Sequence, residues 1–331
     1  MQRFYNDPDL IVDDMLKGYV KAHQDLVHIS EDNDHVVVTN NKIEGKVGLV
    51  SGGGSGHEPC FLGYIGKNML DAVAVGEIFS SPPATAFLQA FKEADTGAGV
   101  VCLFGNYAGD NMNVKMAVQM AAMQGIIVKC VVATDDIASS PKGQESNRHG
   151  IAGNALVWKM AGALASQGAS LDEVIDIAQK TVDATRSMCV GLSACSIPSV
   201  GHSNFVIEDG TIEYGIGHHG EPGIKIEKMQ SSKDIAFHMA GLLENDLELN
   251  EDDEVVVMVS GMGATPIMEQ YVLFDSISDY LNSKNIKIIK AFVGNYVTSL
   301  EMNGIGVTIT KFDDQMKELL KVPVKTTGLV I

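Results

Sequence analysis

The chain has 331 residues, 45% of them hydrophobic, and a formal net charge of −18. The length exceeds what one hydrophobic core usually serves, so two domains are expected. The acidic balance excludes nucleic-acid binding by a basic face, and no apolar run reaches the roughly 18 residues that a membrane span needs. The stretch Met1–Pro8 has no apolar signal core, so nothing marks the chain for export. The cysteines Cys60, Cys102, Cys130, Cys189 and Cys195 are scattered, odd in number and mostly set in apolar runs, which fits reduced core thiols in a cytoplasmic protein.

Short β-branched runs alternate with amphipathic stretches, the pattern of an α/β fold with a largely parallel sheet. A helix is expected over 9–21 and strands over 36–39 and 47–50. Strands over 72–75, 99–104 and 126–133 read as buried on both faces, with helices over 82–94 and 112–124 between them. Met112, Met116, Met120 and Met123 fall at helical spacing and read as core filler. Two further helices are expected over 150–168 and 171–187, with Gly168 as the stop of the first and Ser170 as the cap of the second. The texture changes after Arg186, which divides the chain into domains 1–186 and 187–331, each a mixed or largely parallel sheet flanked by helices. A hairpin is expected from Phe205 to Tyr214, turning on Asp209-Gly210. A glycine-dense loop at 215–223 and a helix over 231–244 follow. Glu244–Glu254 carries seven carboxylates and no base, and reads as a solvated linker or loop. The α/β rhythm then resumes with strands over 254–260, 286–293 and 306–311 and helices over 266–283 and 313–320.

Three glycine-rich segments carry ionisable side chains. Ser51–Pro59 follows a strand, and its four glycines let the backbone turn tightly and offer N–H groups to a ligand. That is where open α/β sheets place their ligands. It is not a Walker loop, because no Gly-Lys-Ser/Thr ends it, and the dinucleotide spacing fails at His57. A purely structural turn is the alternative, but His57 and Glu58 favour a polar small-molecule site. Gly105–Asn113 follows another strand. In it, Asp110 reads first as an N-cap carboxylate and second as a general base.

Gly215–Gly223 holds the adjacent pair His218 and His219. Adjacent imidazoles seldom bind one ion, and no acidic ligand cluster stands beside them, so no metal is expected. A neutral imidazole nitrogen can instead add to a carbonyl carbon to give a hemiaminal, with Glu221 available to hold the ring's tautomer. Either histidine could also be a satisfied structural residue. Asp135-Asp136 with Arg148 reads as a helix cap and an ion pair rather than a metal or acid/base site.

These segments, in this order, resemble the stand-alone substrate-binding subunit of the dihydroxyacetone kinase family. The likeness runs over nearly the whole chain, through Asn6-Asp7-Pro8, Ser51–Pro59, Gly76–Phe79, Asn106-Tyr107, Gly109-Asp110, Asp135-Asp136, Gly150–Gly153, Gly215–Gly223, Gly263–Pro266, Gly294–Tyr296 and Thr298–Met302. The resemblance implies that His219 forms a covalent hemiaminal with dihydroxyacetone or a similar short ketose. It implies His57 and Asp110 as acid/base partners on the hydroxyl that receives phosphate, and Gly54, Ser55 and Gly56 as backbone lining. No cofactor is expected on this chain. ADP or ATP with magnesium is expected on a separate kinase subunit, recharged by a phosphotransferase-system protein, and a homodimer is implied. The alternative within the family is a non-catalytic co-activator that binds the ketose and a transcription regulator. The chain departs from the family's usual pattern at Gly105 (lysine), Ala108 (threonine), Cys60-Phe61 (Ala-His) and His149 (arginine). Those changes extend the expected substrates to a longer ketose such as erythrulose.

Overall fold

The structure is a computed structural model that describes residues 3–203 and 205–331. Among these residues the strands form two six-stranded sheets flanked by helices, the α/β class expected from the sequence. The first sheet comprises β1 (Val27–Ser30), β2 (Asn33–Thr39), β3 (Gly48–Ser55), β4 (Ala72–Ile78), β5 (Val100–Gly105) and β6 (Val128–Ala133), in the order β1-β2-β4-β3-β5-β6. Its β4, β3, β5 and β6 run parallel, and β2 and β1 continue it antiparallel. The second sheet comprises β7 (Thr185–Gly191), β8 (Thr211–Tyr214), β9 (Lys225–Lys228), β10 (Glu254–Gly261), β11 (Lys287–Gly294) and β12 (Gly304–Lys311), in the order β11-β10-β12-β7-β8-β9. Only β10 and β11 pair in parallel there.

The helices are α1 (Ile11–Ala22), α2 (Ala84–Ala94), α3 (Ala108–Ala122), α4 (Asn154–Ala165), α5 (Leu171–Asp183), α6 (Ser232–Leu247), α7 (Ile267–Ser283) and α8 (Asp314–Leu320). Helices α2 and α3 cover one face of the first sheet. Helices α4, α5 and α8 fill the space between its other face and the second sheet. Helices α6 and α7 cover the far face of the second sheet. Strand alternation in β10 shows how the layers are joined. Val255, Val257 and Val259 point to α6 and α7, whereas Val256 and Met258 enter the core shared with α4. Helix α4 is therefore apolar almost all round, as a helix buried between two sheets must be. Its one cation, the fully buried Lys159, donates to Leu319 O at the end of α8 (2.6 Å) and so satisfies a terminal carbonyl. Burial lowers this ammonium to about 8.

Several expectations from the sequence need correction. The helix expected over 171–187 has its Ser170 cap, with the reciprocal Glu173 bond, but stops at Asp183 because β7 takes up the chain at Thr185. Strand β6 is an edge strand, and Lys129 and Cys130 on it are exposed, so neither double-sided burial nor a core thiol holds there. In α3 the buried stripe is Val114, Ala117 and Ala121, which leaves Met112, Met116 and Met123 facing out. No strand covers 205–207 and β8 pairs with β9, so the glycine-dense loop 215–223 is itself the hairpin connection. The acidic stretch is not simply solvated. Asp246 lies at the end of α6 and receives a bidentate bond from the buried Arg148 (2.8 and 2.7 Å) and a third from Arg186 (2.6 Å). Arg148 thus pairs with Asp246 rather than with Asp135 or Asp136. No helix among the described residues is long and apolar enough to cross a membrane.

Candidate functional site

The C-terminal ends of β3 and β5 and the β8–β9 hairpin loop meet at one cavity of about 50 Å³. Its lining includes His57 and Gly54 from the end of β3, Asp110 and Tyr107 from the start of α3, and His218 and His219 from the hairpin loop. A wider vestibule of about 420 Å³ adjoins it, sharing Gly54, Tyr107, Asp110 and His219 and extending over Ser80, Ser81 and Asn113. The backbone allows this convergence at two tight points. Gly220 has φ +84°, and a Cβ there would strike the Phe205 ring at 2.4 Å. A Cβ on Gly105 would lie 2.7 Å from Gly150 O, so the strand end and the 150 loop are in backbone contact.

His57 is buried, and its Nδ1 lies 2.7 Å from Thr298 O. Its ring stacks on Phe79, with centroids 5.1 Å apart. His219 is held by Glu221, whose Oε1 lies 2.9 Å from Nδ1 and whose Oε2 accepts the His219 backbone N–H at 3.0 Å. Tyr107 meets the His219 ring edge-on at 5.2 Å, and His149 stacks behind Tyr107 at 4.7 Å. The two imidazole rings face each other, with His57 Nε2 3.0 Å from His219 Nε2.

Counting hydrogens fixes what that contact holds. A carbonyl and a carboxylate only accept, so both Nδ1 atoms carry hydrogen. Two neutral rings would then face each other lone pair to lone pair. The 3.0 Å contact requires one proton between them. Burial, and then the His219 and His218 charges, push His57 well below the usual histidine range, and burial first also takes His218 down to about 4. Burial pushes the Glu221 carboxyl up, but the hydrogen bond and charge of His219 outweigh it and bring the carboxyl down to about 2.

Asp110 does not cap α3. Tyr107 occupies the cap position without a side-chain bond, and Asp110 Oδ1 instead accepts the Ser81 hydroxyl at 2.6 Å. Burial raises its carboxyl to about 6, against the lowering effects of Ser81 and His219. The carboxyl is placed on the boundary between cavity and vestibule.

Of the residues singled out from the sequence, Gly54, His57, Asp110 and His219 line the cavity together. Ser55 and Gly56 do not. They line a separate pocket against Ile11 and Met15 of α1, and the Ser55 hydroxyl donates to Gly76 O at 2.7 Å. Asp135 and Asp136 lie behind the site. Asp135 accepts the N–H groups of Ile151 and Gly153 (3.0 and 2.9 Å), and Asp136 that of Ala138 (3.0 Å). Sequence reasoning missed Asn154, which opens α4 and also lines the cavity. Its only signal was a polar residue at the start of an apolar run. Among the described residues no cluster of three histidine, cysteine or acidic side chains is arranged to hold a metal ion.

The Dak1 domain family matches residues 17–328. The chain is 43% identical over 327 residues to the dihydroxyacetone-binding subunit DhaK of PTS-dependent dihydroxyacetone kinase 1 from Listeria innocua, over 98% of this chain and 99% of that one. It superposes on the dihydroxyacetone kinase of C. freundii, in complex with AMP-PNP and Mg2+, with a TM-score of 0.91 at 30% identity, over 99% of this chain and 61% of that one. It also superposes on the dihydroxyacetone kinase operon co-activator Dha-DhaQ with a TM-score of 0.89 at 30% identity, over 96% of this chain and 97% of that one.

Proposed function

This chain belongs to the Dak1 domain family, and we propose that it is the ketose-binding subunit of a dihydroxyacetone kinase. It takes dihydroxyacetone, or a similar short ketose, as a hemiaminal on His219 and presents one hydroxyl for phosphorylation by a partner subunit. The observation that carries this reading is the 3.0 Å contact between His57 Nε2 and His219 Nε2, which needs one proton between them. When that proton shifts to His57 Nε2, the lone pair of His219 Nε2 is free to bond the ketone carbon. The carbonyl oxygen takes the electron pair and then the proton from His57. The alkylated imidazolium keeps its Nδ1–H on the Glu221 carboxylate. Protons and charge balance without solvent. Glycerol has no carbonyl and cannot make this bond, however similar its size.

Asp110 is the candidate base for the hydroxyl that is phosphorylated. It faces both the cavity and the vestibule through which a phosphoryl donor would approach. A carboxyl near 6 can take a proton at neutral pH and return it. The described residues lining the vestibule include no lysine or arginine, so the charge that steadies a moving phosphoryl group falls to the nucleotide and magnesium of a partner. Met112 and Met116, exposed on α3 beyond Asp110, offer that partner an apolar footing. The same reading places the protein in the cytoplasm as a homodimer.

The second reading is the ketose-sensing co-activator that acts on a transcription regulator. It needs the adduct but not Asp110 on the vestibule, and for that reason we favour the kinase. The test is phosphoryl transfer to dihydroxyacetone, followed by phosphorus NMR, with the neighbouring kinase subunits and a phosphoenolpyruvate-driven donor. Product identifies the kinase subunit, and the same assay with erythrulose ranks the substrates. An adduct without product selects the co-activator.

A further inference from the structure

We infer that Asn154 accepts a hydroxyl of the bound ketose, the one that is not phosphorylated, and so decides which ketones the site retains. This rests on the ketose-binding reading above. Asn154 lines the cavity together with His57, Asp110 and His219 and is only 4% exposed. Its Nδ2 donates to Ile151 O at 3.0 Å, while its Oδ1 is buried with no donor in reach. Exchanging the amide atoms would set one acceptor against another at Ile151, so the orientation is fixed by its partner. Buried acceptors in folded proteins nearly always find a donor, and the ones that do not ask for one.

The acceptor is also held firmly in place. The backbone before α4 is pinned where Asp135 takes the N–H groups of Ile151 and Gly153. It is wedged against the first sheet at Gly150, where a Cβ would meet Ala133 O at 2.4 Å. Asn154 does not spend its oxygen as a helix cap, since the cap position is Gly153 and no side chain bonds there.

The other polar groups of the cavity already have their tasks. The histidine pair takes the carbonyl, and Asp110, with the Ser81 hydroxyl on its Oδ1, takes the hydroxyl facing the vestibule. A ketose with a hydroxyl on each side of its carbonyl has one donor left over, and Asn154 Oδ1 has no donor. The class of ligand is therefore a ketone with hydroxyls on both flanking carbons. A mono-hydroxy ketone occupies the Asp110 side and leaves Asn154 unsatisfied.

The experiment compares binding of dihydroxyacetone and hydroxyacetone to the full chain by calorimetry, with carbon NMR of the labelled ketone carbon reporting the bonded form. Wild type should hold dihydroxyacetone roughly tenfold more tightly or better, and Asn154→Ala should lose most of that ratio by weakening dihydroxyacetone alone. Asn154→Thr, whose hydroxyl can donate to Ile151 O and still accept, should retain much of the preference and guards against a folding defect in the alanine variant. Equal weakening of both ketones, or an unchanged ratio in Asn154→Ala, overturns the inference and makes Asn154 a structural brace of Ile151. A wild-type chain that captures neither ketone overturns the ketose reading itself, and this inference with it.

Discussion

His57 and His219 come from different sheets, yet their Nε2 atoms meet at 3.0 Å. His57 ends the turn after β3, and His219 sits in the loop between β8 and β9. His219→Ala should remove the nucleophile outright. Carbon NMR of dihydroxyacetone labelled at the carbonyl should show the tetrahedral signal with wild type and none with the variant. A tetrahedral signal that survives the substitution would mean another atom forms the bond.

The proton count across this pair is itself measurable. If one proton already lies between the rings, capture of the ketone neither takes up nor releases a proton while the pair is charged. Calorimetric heats in buffers of different ionisation enthalpy should then show zero proton exchange at a pH where the pair is charged. Uptake of one proton at every pH would show the pair to be neutral, contrary to the geometry.

Glu221 anchors the His219 ring. Glu221→Gln removes the anion beside an imidazolium. A charged hydrogen bond of this kind contributes about 1.5–3 kcal/mol, so ketone affinity should fall roughly 10- to 100-fold. Asp110→Asn should leave that affinity within a few-fold of wild type but slow phosphoryl transfer by roughly 10²–10⁴. The wild-type rate should rise with pH through about 6, as the carboxyl loses its proton, and the variant should lack that rise. Equal loss of binding and turnover in Asp110→Asn would make Asp110 a positioning residue only.

Behind the site, burial pushes the Asp136 carboxyl up to about 7, while the Ala138 N–H pulls it down and Asp135 adds to the rise. A carboxyl raised in the folded state favours folding while protonated. That contribution is complete below about 4 and is lost as pH climbs through 7. The full swing is on the order of 4 kcal/mol. Asp136→Asn, which can still accept from Ala138, should therefore raise Tm at pH 8 and do little at pH 4. A Tm gain that does not depend on pH would discount the ionisation.

The α/β class was legible because the strands β4 and β5 begin with continuous apolar runs and α5 has a complete Ser170–Glu173 cap. Three strands were not. β1, β7 and β9 carry polar residues such as His28, Arg186 and Glu227, and their place is set by pairing across the sheet rather than by pattern. The histidine loops stood out because ionisable groups on glycine turns seldom serve packing. That they face each other is a tertiary fact no spacing could give. Asp110 misled because a carboxylate at a helix start is usually a cap, and only the Ser81 hydroxyl across from it shows otherwise. The acidic run looked solvated because Arg148 and Arg186, its partners at Asp246, are 98 and 60 residues away in sequence.

The site draws one wall from the hairpin near the edge of the second sheet and the other from strand ends of the first. On the proposed reading, a ketose bonded to His219 and held by Asp110 would tie the two sheets together beside the core they share around α4 and the smaller apolar cluster of Ile151, Ile216 and Met262. On that reading, any movement that spreads the sheets would draw His219 away from His57 and Asp110, and a partner that pries at the hairpin would control how long the sugar stays.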